Sequence, residues 1–187
     1  MKSVLISIQP KWCELIASGK KTVEVRKTKP KLETPFKCYI YCTQGLLKDI
    51  GVIGNEMYSK RMKVIGEFVC DRITDIPYSQ YFVDYYHTMP QVDLEASCLD
   101  MGHIDEYLLS KDGYGWHISD LVIYDQPKGV TGFYHYCGDD PKCDGCEFLY
   151  YSNTECGKEE FCCSNMYGCK TLTRPPQSWC YVEEGGE

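Results

Sequence analysis

Within its first 26 residues the chain writes out strand, helix and strand, and this opening constrains the fold more than any other stretch. Val4, Ile6 and Ile8 alternate with Ser3, Leu5 and Ser7, the period-two pattern of a strand with one core face. Pro10 suits a first helical position, where its missing N–H costs nothing, and Trp12, Leu15 and Ile16 fall on one side of a short helix. Gly19 supplies the stop, since helices commonly end on a residue of positive φ, which glycine adopts freely. Thr22-Val23-Glu24-Val25-Arg26 then alternates cleanly. With Val23 and Val25 toward the core, Thr22, Glu24 and Arg26 share the opposite face.

The rest of the chain continues in short strands. The pattern predicts a third strand over Lys37–Thr43, a fourth over Lys63–Ile73, another over Trp116–Tyr124 and a last over Ser178–Glu183, where Pro175-Pro176 forbids helix just before it. Gly45–Arg61 has no strong period. Residues 77–112 are aromatic and read as helical in pieces, including Tyr78–Tyr86 and Ile104–Leu109. Several short strands with few helices indicate a small mixed α+β barrel rather than a parallel sheet.

Composition narrows the class further. A chain of 187 residues that is 43% hydrophobic and 13% aromatic, with sixteen tyrosines, is globular. No apolar run approaches the roughly 20 residues of a membrane helix, and the N-terminus lacks the apolar centre of a secretory signal, so a cytoplasmic protein is expected. The formal charge of −7 argues against coating of duplex DNA, but its distribution is uneven: residues 1–37 carry nine Lys/Arg and three Asp/Glu. A basic segment on an acidic body suits a local anionic or polar ligand.

The segment Gly19-Lys20-Lys21-Thr22-Val23-Glu24-Val25-Arg26 reads as Gly-x-Lys-x-x-Glu-x-Arg, carried by Gly19, Lys21, Glu24 and Arg26. This pattern after a short helix resembles the signature of the ASCH family. Lys63-Val64-Ile65-Gly66-Glu67-Phe68, Trp116-His117-Ile118-Ser119-Asp120-Leu121 and the ending from Arg174 to Glu184 also resemble that family. The resemblance spans residues 1–135 and 171–184 and implies a PUA-like β-barrel linked to RNA. The spacing has its own chemistry. Lys21 stands at the start of the second strand, and Glu24 and Arg26 lie two apart on one face, close enough to pair or to address one ligand. A carboxylate accepts from an exocyclic amine, and a guanidinium or ammonium donates to a carbonyl or phosphate, so together they could read the edge of a base. Lys20, Thr22 and His117 are added as candidate ligand-binding neighbours.

One bacterial branch of the family is implied to hydrolyse the amide of N4-acetylcytidine with a Lys, a Thr and a Glu. By position these fall on Lys21, Glu24 and Glu67, so a carboxylate replaces the hydroxyl nucleophile. Glu24 could then act only as a general base on water, with Lys21 stabilising an oxyanion. Tyr39 and Tyr41 share a face of the third strand, where packing is the expected role.

Seven of the thirteen cysteines lie between Cys137 and Cys169, among Gly, Asp, Asn and Tyr. Residues 136–170 therefore read as an insertion lobe in a barrel built from 1–135 and 171–187. Cys143-Asp144-Gly145-Cys146 has the spacing for two thiolates on one tetrahedral ion. A structural zinc held by Cys143, Cys146, Cys156 and Cys162 is expected, with Cys137, Cys163 and Cys169 as alternates and His135 as an outside option. Cys13, Cys38, Cys42, Cys70, Cys98 and Cys180 sit in apolar surroundings and read as core residues. Three functions follow: an RNA- or nucleobase-binding module, a small amidohydrolase on a modified nucleoside, and an interaction module whose Cys-rich lobe docks a protein.

Overall fold

A computed structural model of the chain describes residues 2–45, 55–81, 84–135 and 174–184, together with 150–151, 160–161 and 172. The opening is as the periodicity predicts: β1 (Ser3–Ile8), α1 (Pro10–Ala17) with Pro10 at its start, and β2 (Val23–Arg26). Gly19 sits at φ 73°. Its N–H donates to Ile16 O, and the N–H groups of Lys20 and Lys21 both donate to Leu15 O, so the helix ends in a tight wrap that launches β2.

β3 (Phe36–Cys42), the long β4 (Lys63–Ile76), β7 (Gly113–Lys128), β8 (Phe133–His135) and β11 (Trp179–Glu184) complete a seven-stranded sheet in the order β2-β7-β4-β3-β1-β11-β8. β1 and β3 are parallel, and every other pair is antiparallel. Short helices α2 (Asn55–Ser59), α3 (Gln91–Ala96) and α4 (Met101–Leu108) lie outside the ladder. The fold is a sheet-dominated α+β arrangement with few helices. No ladder among the described residues closes the sheet on itself. The segment after β2 is tied instead to β11, the next-to-last strand at the opposite side of the sheet: Trp179 Nε1 donates to Thr28 Oγ1 at 3.0 Å, and the Lys31 N–H donates to the Tyr181 hydroxyl at 2.7 Å.

Three apolar clusters explain the burial. The largest gathers Val4, Ile6, Ile8, Cys13, Cys38, Ile40, Phe68 and Trp116 on one face of the sheet. The second, on the other face, holds Leu5, Tyr39, Tyr41, Phe133 and Val182. The third joins Val25 to Ile76 and to Ile104 and Leu108 of α4. β1 is thus buried on both faces, as a central strand must be, and its alternation marks two cores rather than core and solvent.

One expectation is corrected here. The described part of Tyr78–Tyr86 is not helical: Tyr78–Tyr81 (β5) and Asp84–His87 (β6) pair as antiparallel strands. Aromatic residues fit a pleated ribbon at least as well as a helix, and the Tyr78 ring packs 4.9 Å from that of His87. Val25 faces the helical cover and not the main core, while Glu24 and Arg26 turn toward the side of Trp116.

Gly66 marks the closest approach of two strands. A Cβ at this position would lie 2.3 Å from Val122 O, so β4 can pass β7 here only without a side chain. The register of β4 against β7 shifts between Val64 and Gly66 and again between Glu67 and Val69. In the insertion, Tyr150–Tyr151 (β9) pairs with Glu160–Phe161 (β10). Cys137, Cys143, Cys146, Cys156, Cys162, Cys163 and Cys169 lie outside the described residues, and with them the expected zinc ligands. No described helix is long and apolar enough to cross a membrane.

Candidate functional site

Lys21, Glu24 and Arg26 converge and are buried, with 2%, 6% and 7% of their surfaces exposed. Glu24 is the centre: its Oε2 lies 3.4 Å from Lys21 Nζ and its Oε1 lies 3.0 Å from Arg26 Nη2. Both cations also donate to main-chain oxygens. Lys21 Nζ reaches Ser97 O at 2.6 Å, at the carbonyl end of α3, where a positive charge complements the helix terminus. Arg26 Nη2 crosses to Ser7 O on β1, also at 2.6 Å. The cluster carries one net positive charge in formal terms. Trp12 of α1 covers it from one side, with its ring centroid 5.1 Å from Lys21 Nζ.

Two buried donors in this region have no hydrogen-bond partner among the described residues: Arg26 Nε and Trp116 Nε1. Trp116 is fully buried and is the direct cross-strand neighbour of Glu24. Buried N–H groups without an acceptor are rare because each forfeits its hydration. Both orphan groups are donors, so the arrangement is complementary to a guest that brings acceptors.

Tyr107 on α4 lies beside the Arg26 guanidinium and the Glu24 carboxylate. Burial pushes its phenol up from the ordinary tyrosine range, with Glu24 adding to the rise and Arg26 opposing it. Its residue surface is 39% exposed, so it forms part of the boundary between the cluster and solvent. Tyr107, Trp116, Ser7 and Ser97 were not foreseen as parts of this site. Only the spacing of Ile104 and Leu108, which brings α4 onto Val25, hinted that a residue of that helix would reach it.

The other candidate residues go elsewhere. Lys20 and Thr22 are exposed. Glu67 is not brought to Lys21: its carboxylate is held by Lys37 Nζ at 2.9 Å and by the Tyr124 hydroxyl, and it pairs across the ladder with Tyr39 of the second cluster. The Lys21–Glu24–Glu67 trio of the amidase expectation is therefore not assembled. Tyr39 and Tyr41 pack as core, with the Tyr39 ring 4.8 Å from Phe133.

His117 lies opposite Val23, and its ring belongs to a separate chain of bonds. Arg72 Nη2 is 3.1 Å from Nδ1, and Thr74 Oγ1 is 2.8 Å from Nε2. Arginine only donates, so Nδ1 accepts and the neutral ring carries its proton on Nε2. Thr74 accepts that proton's hydrogen bond and donates its own to Asp93 Oδ2 at 2.7 Å. Burial first, and the Arg72 charge second, hold the imidazole below its usual range, against the opposing pull of Asp93 and Asp71. The native state thus binds fewer protons than the unfolded chain once pH falls below about 6.5. Stability contributed by neutral His117 is complete above that value and is lost as pH falls toward the lowered native pKa. The unfolding free energy measured from pH 7.5 to 5 should decline by no more than about 1.4 kcal/mol per pH unit from this group. A His117→Gln variant should lack that component, and an unchanged slope in the variant would remove the assignment.

Of the six cysteines outside the insertion, Cys13, Cys38, Cys42 and Cys70 are buried, Cys98 and Cys180 are half-buried, and all are free. Burial raises the Cys13 and Cys38 thiols and pushes Cys70 to about 12 and Cys180 to about 11. These four behave as apolar packing groups. Among the described residues, no three His, Cys, Asp or Glu side chains are grouped to hold a metal ion.

The family model described as "ASCH domain" matches residues 6–98. Among solved structures, the chain is similar to an ASCH protein from Zymomonas mobilis, with 18% identity, a TM-score of 0.48, and coverage of 68% of this chain and 73% of that one. A tyrosine-to-phenylalanine variant of the Zymomonas protein matches at 18% identity and a TM-score of 0.47, covering 70% and 77% of the two chains. A serine-to-alanine variant matches at 19% identity and a TM-score of 0.46, covering 68% and 73%. No curated protein matches the chain.

Proposed function

Because the chain belongs to the ASCH domain family through residues 6–98, we propose that it is an RNA- or nucleobase-binding module that holds its guest against Lys21, Glu24 and Arg26. The observation that carries this reading is the buried ion cluster with two N–H donors left over, Arg26 Nε and Trp116 Nε1. A base edge supplies what those groups lack. Its carbonyl or ring-nitrogen lone pairs accept from the two donors, and an exocyclic amine donates to Glu24, whose carboxylate can take further bonds. The single net charge matches a polar guest better than a bare anion. Binding needs no chemistry on the ligand, and the separation of Glu67 from Lys21 gives the hydrolytic reading no support.

The test is thermal shift and calorimetry with free ribonucleosides and short RNA. A ligand that binds the native state only stabilises it by about 2.7 kcal/mol at a hundredfold excess over Kd. Arg26→Lys keeps a cation for Glu24 but deletes Nε. It should weaken binding by about tenfold or more, the worth of one hydrogen bond to a charged group. If no ribonucleoside or oligoribonucleotide stabilises the chain at millimolar concentration, the proposal fails.

A further inference from the structure

Beside the ion cluster, lysines and aromatic rings occur in pairs along one strip. Lys27 Nζ lies 5.0 Å from the ring centroid of Tyr107, Lys29 Nζ 4.6 Å from that of Tyr114, and Lys2 Nζ 3.9 Å from that of Tyr181. The first two lysines belong to the loop between β2 and β3. The same loop is tied to β11 through Thr28–Trp179 and Lys31–Tyr181. Pairs drawn from β1, the loop, α4, β7 and β11 are therefore neighbours in space. The strip has a fixed inner end, because Tyr107 touches both Lys27 on the outside and Arg26 and Glu24 on the inside.

Lys27 and Lys29 are exposed. Along the strip, a carboxylate engages Lys29, through Asp75 at 2.9 Å. The Tyr107 ring is exposed, and those of Tyr114 and Tyr181 are half-buried at the edge of the main core. An ammonium over a ring that keeps an outward face is weakly held and can exchange that contact for a phosphate while the ring takes a base. Alternating cations and rings are the two components of single-strand recognition: backbone phosphates meet lysines, and unstacked bases lie on aromatic faces. A duplex cannot use the rings, because its bases are already stacked, and the acidic body beyond residue 37 opposes a long phosphate track.

We infer that the Lys2–Tyr181, Lys29–Tyr114 and Lys27–Tyr107 pairs form a track for a single-stranded polynucleotide, which delivers one base to the Lys21–Glu24–Arg26 cluster. The delivery end rests on the function proposed above; the track stands on its own geometry. RNA and DNA strands share the phosphate and base chemistry, so both are test ligands.

The experiment is fluorescence anisotropy on the full chain with a labelled mixed-sequence RNA decamer, the matching DNA decamer, and the RNA annealed to its complement. Single strands should bind more tightly than the duplex. Log affinity should fall with log salt at a slope of about −2, for three lysines at about −0.7 each. Lys2→Gln/Lys27→Gln should reduce that slope by about 1.4, and Tyr181→Ala should weaken the strand by about tenfold. Nucleoside stabilisation should be unchanged in the lysine double variant. Preference for RNA over DNA would identify the 2′-hydroxyl as a further contact, and equal binding would make the track indifferent to the sugar. Salt-independent binding, preference for the duplex, or wild-type affinity in the variants would overturn the track even if nucleosides bind. A strand that follows the predicted slope while no nucleoside binds would keep the track and overturn the base pocket.

Discussion

Glu24→Ala is expected to cost about 3–5 kcal/mol of folding free energy, the penalty for leaving buried charge without its partner. The size follows from what remains. Lys21 and Arg26 would stay anchored by Ser97 O and Ser7 O, so neither can easily retreat to water, and two like charges would face each other in a dry site. An exposed Glu-x-Arg pair would lose less than about 1 kcal/mol on the same change, so the measurement separates the two situations clearly. Urea unfolding of wild type and variant, with the slope of the transition unchanged, gives the number directly. A loss below about 1 kcal/mol would mean that the cluster is solvated. Glu24→Gln should fall between the two, because the amide oxygen still accepts from Arg26 while the charge is gone.

Trp116→Ala should be comparably severe, at about 3–5 kcal/mol, or a fall in Tm of roughly 6–20 °C for a chain of this size. The indole is wholly buried, meets Phe36 edge-on at 5.8 Å and lies 6.0 Å from the Trp179 ring. Its removal opens the main core beside Glu24 and loosens the contact that brings β11 across to β7. Trp116→Phe is the informative companion. It keeps part of the aromatic packing and removes the pyrrole portion of the ring with its Nε1–H, a group with no partner among the described residues. Stability should fall by less than in Trp116→Ala, while nucleoside affinity drops. Equal affinity in Trp116→Phe and wild type would show that the indole N–H does not meet the guest.

The opening strand–helix–strand was legible because two strict periodicities and two punctuating residues, Pro10 and Gly19, agree over a short span. The direction of the Glu24 face was not. Alternation tells which residues share a side but not which side is wet, and β2 is covered on both. A strand between a helical layer and a polar interior site looks like an ordinary half-exposed one. Glu67 shows a different limit. Its place in the sequence matched the family pattern, yet the register shifts of β4 around Gly66 set its face, and no local pattern announces a bulge there. Trp116 and His117 are adjacent in one strand, so alternation puts only one of them on the Glu24 side, and that one is Trp116. Arg72, Thr74 and Asp93 around His117 were invisible beforehand because only long-range pairing assembles them. The hairpin at β5–β6 was missed because tyrosines serve strand and helix about equally well in so short a run.

The two main-chain tethers of the ion cluster have a consequence for when the site exists at all. Lys21 is fixed by an oxygen 76 positions away and Arg26 by one 19 positions away. The first tether requires the α3 segment to have docked, and the second requires β1 and β2 to have met. A partly folded chain therefore has the residues of the motif but not their geometry, and the cluster comes into being only when these distant segments have docked.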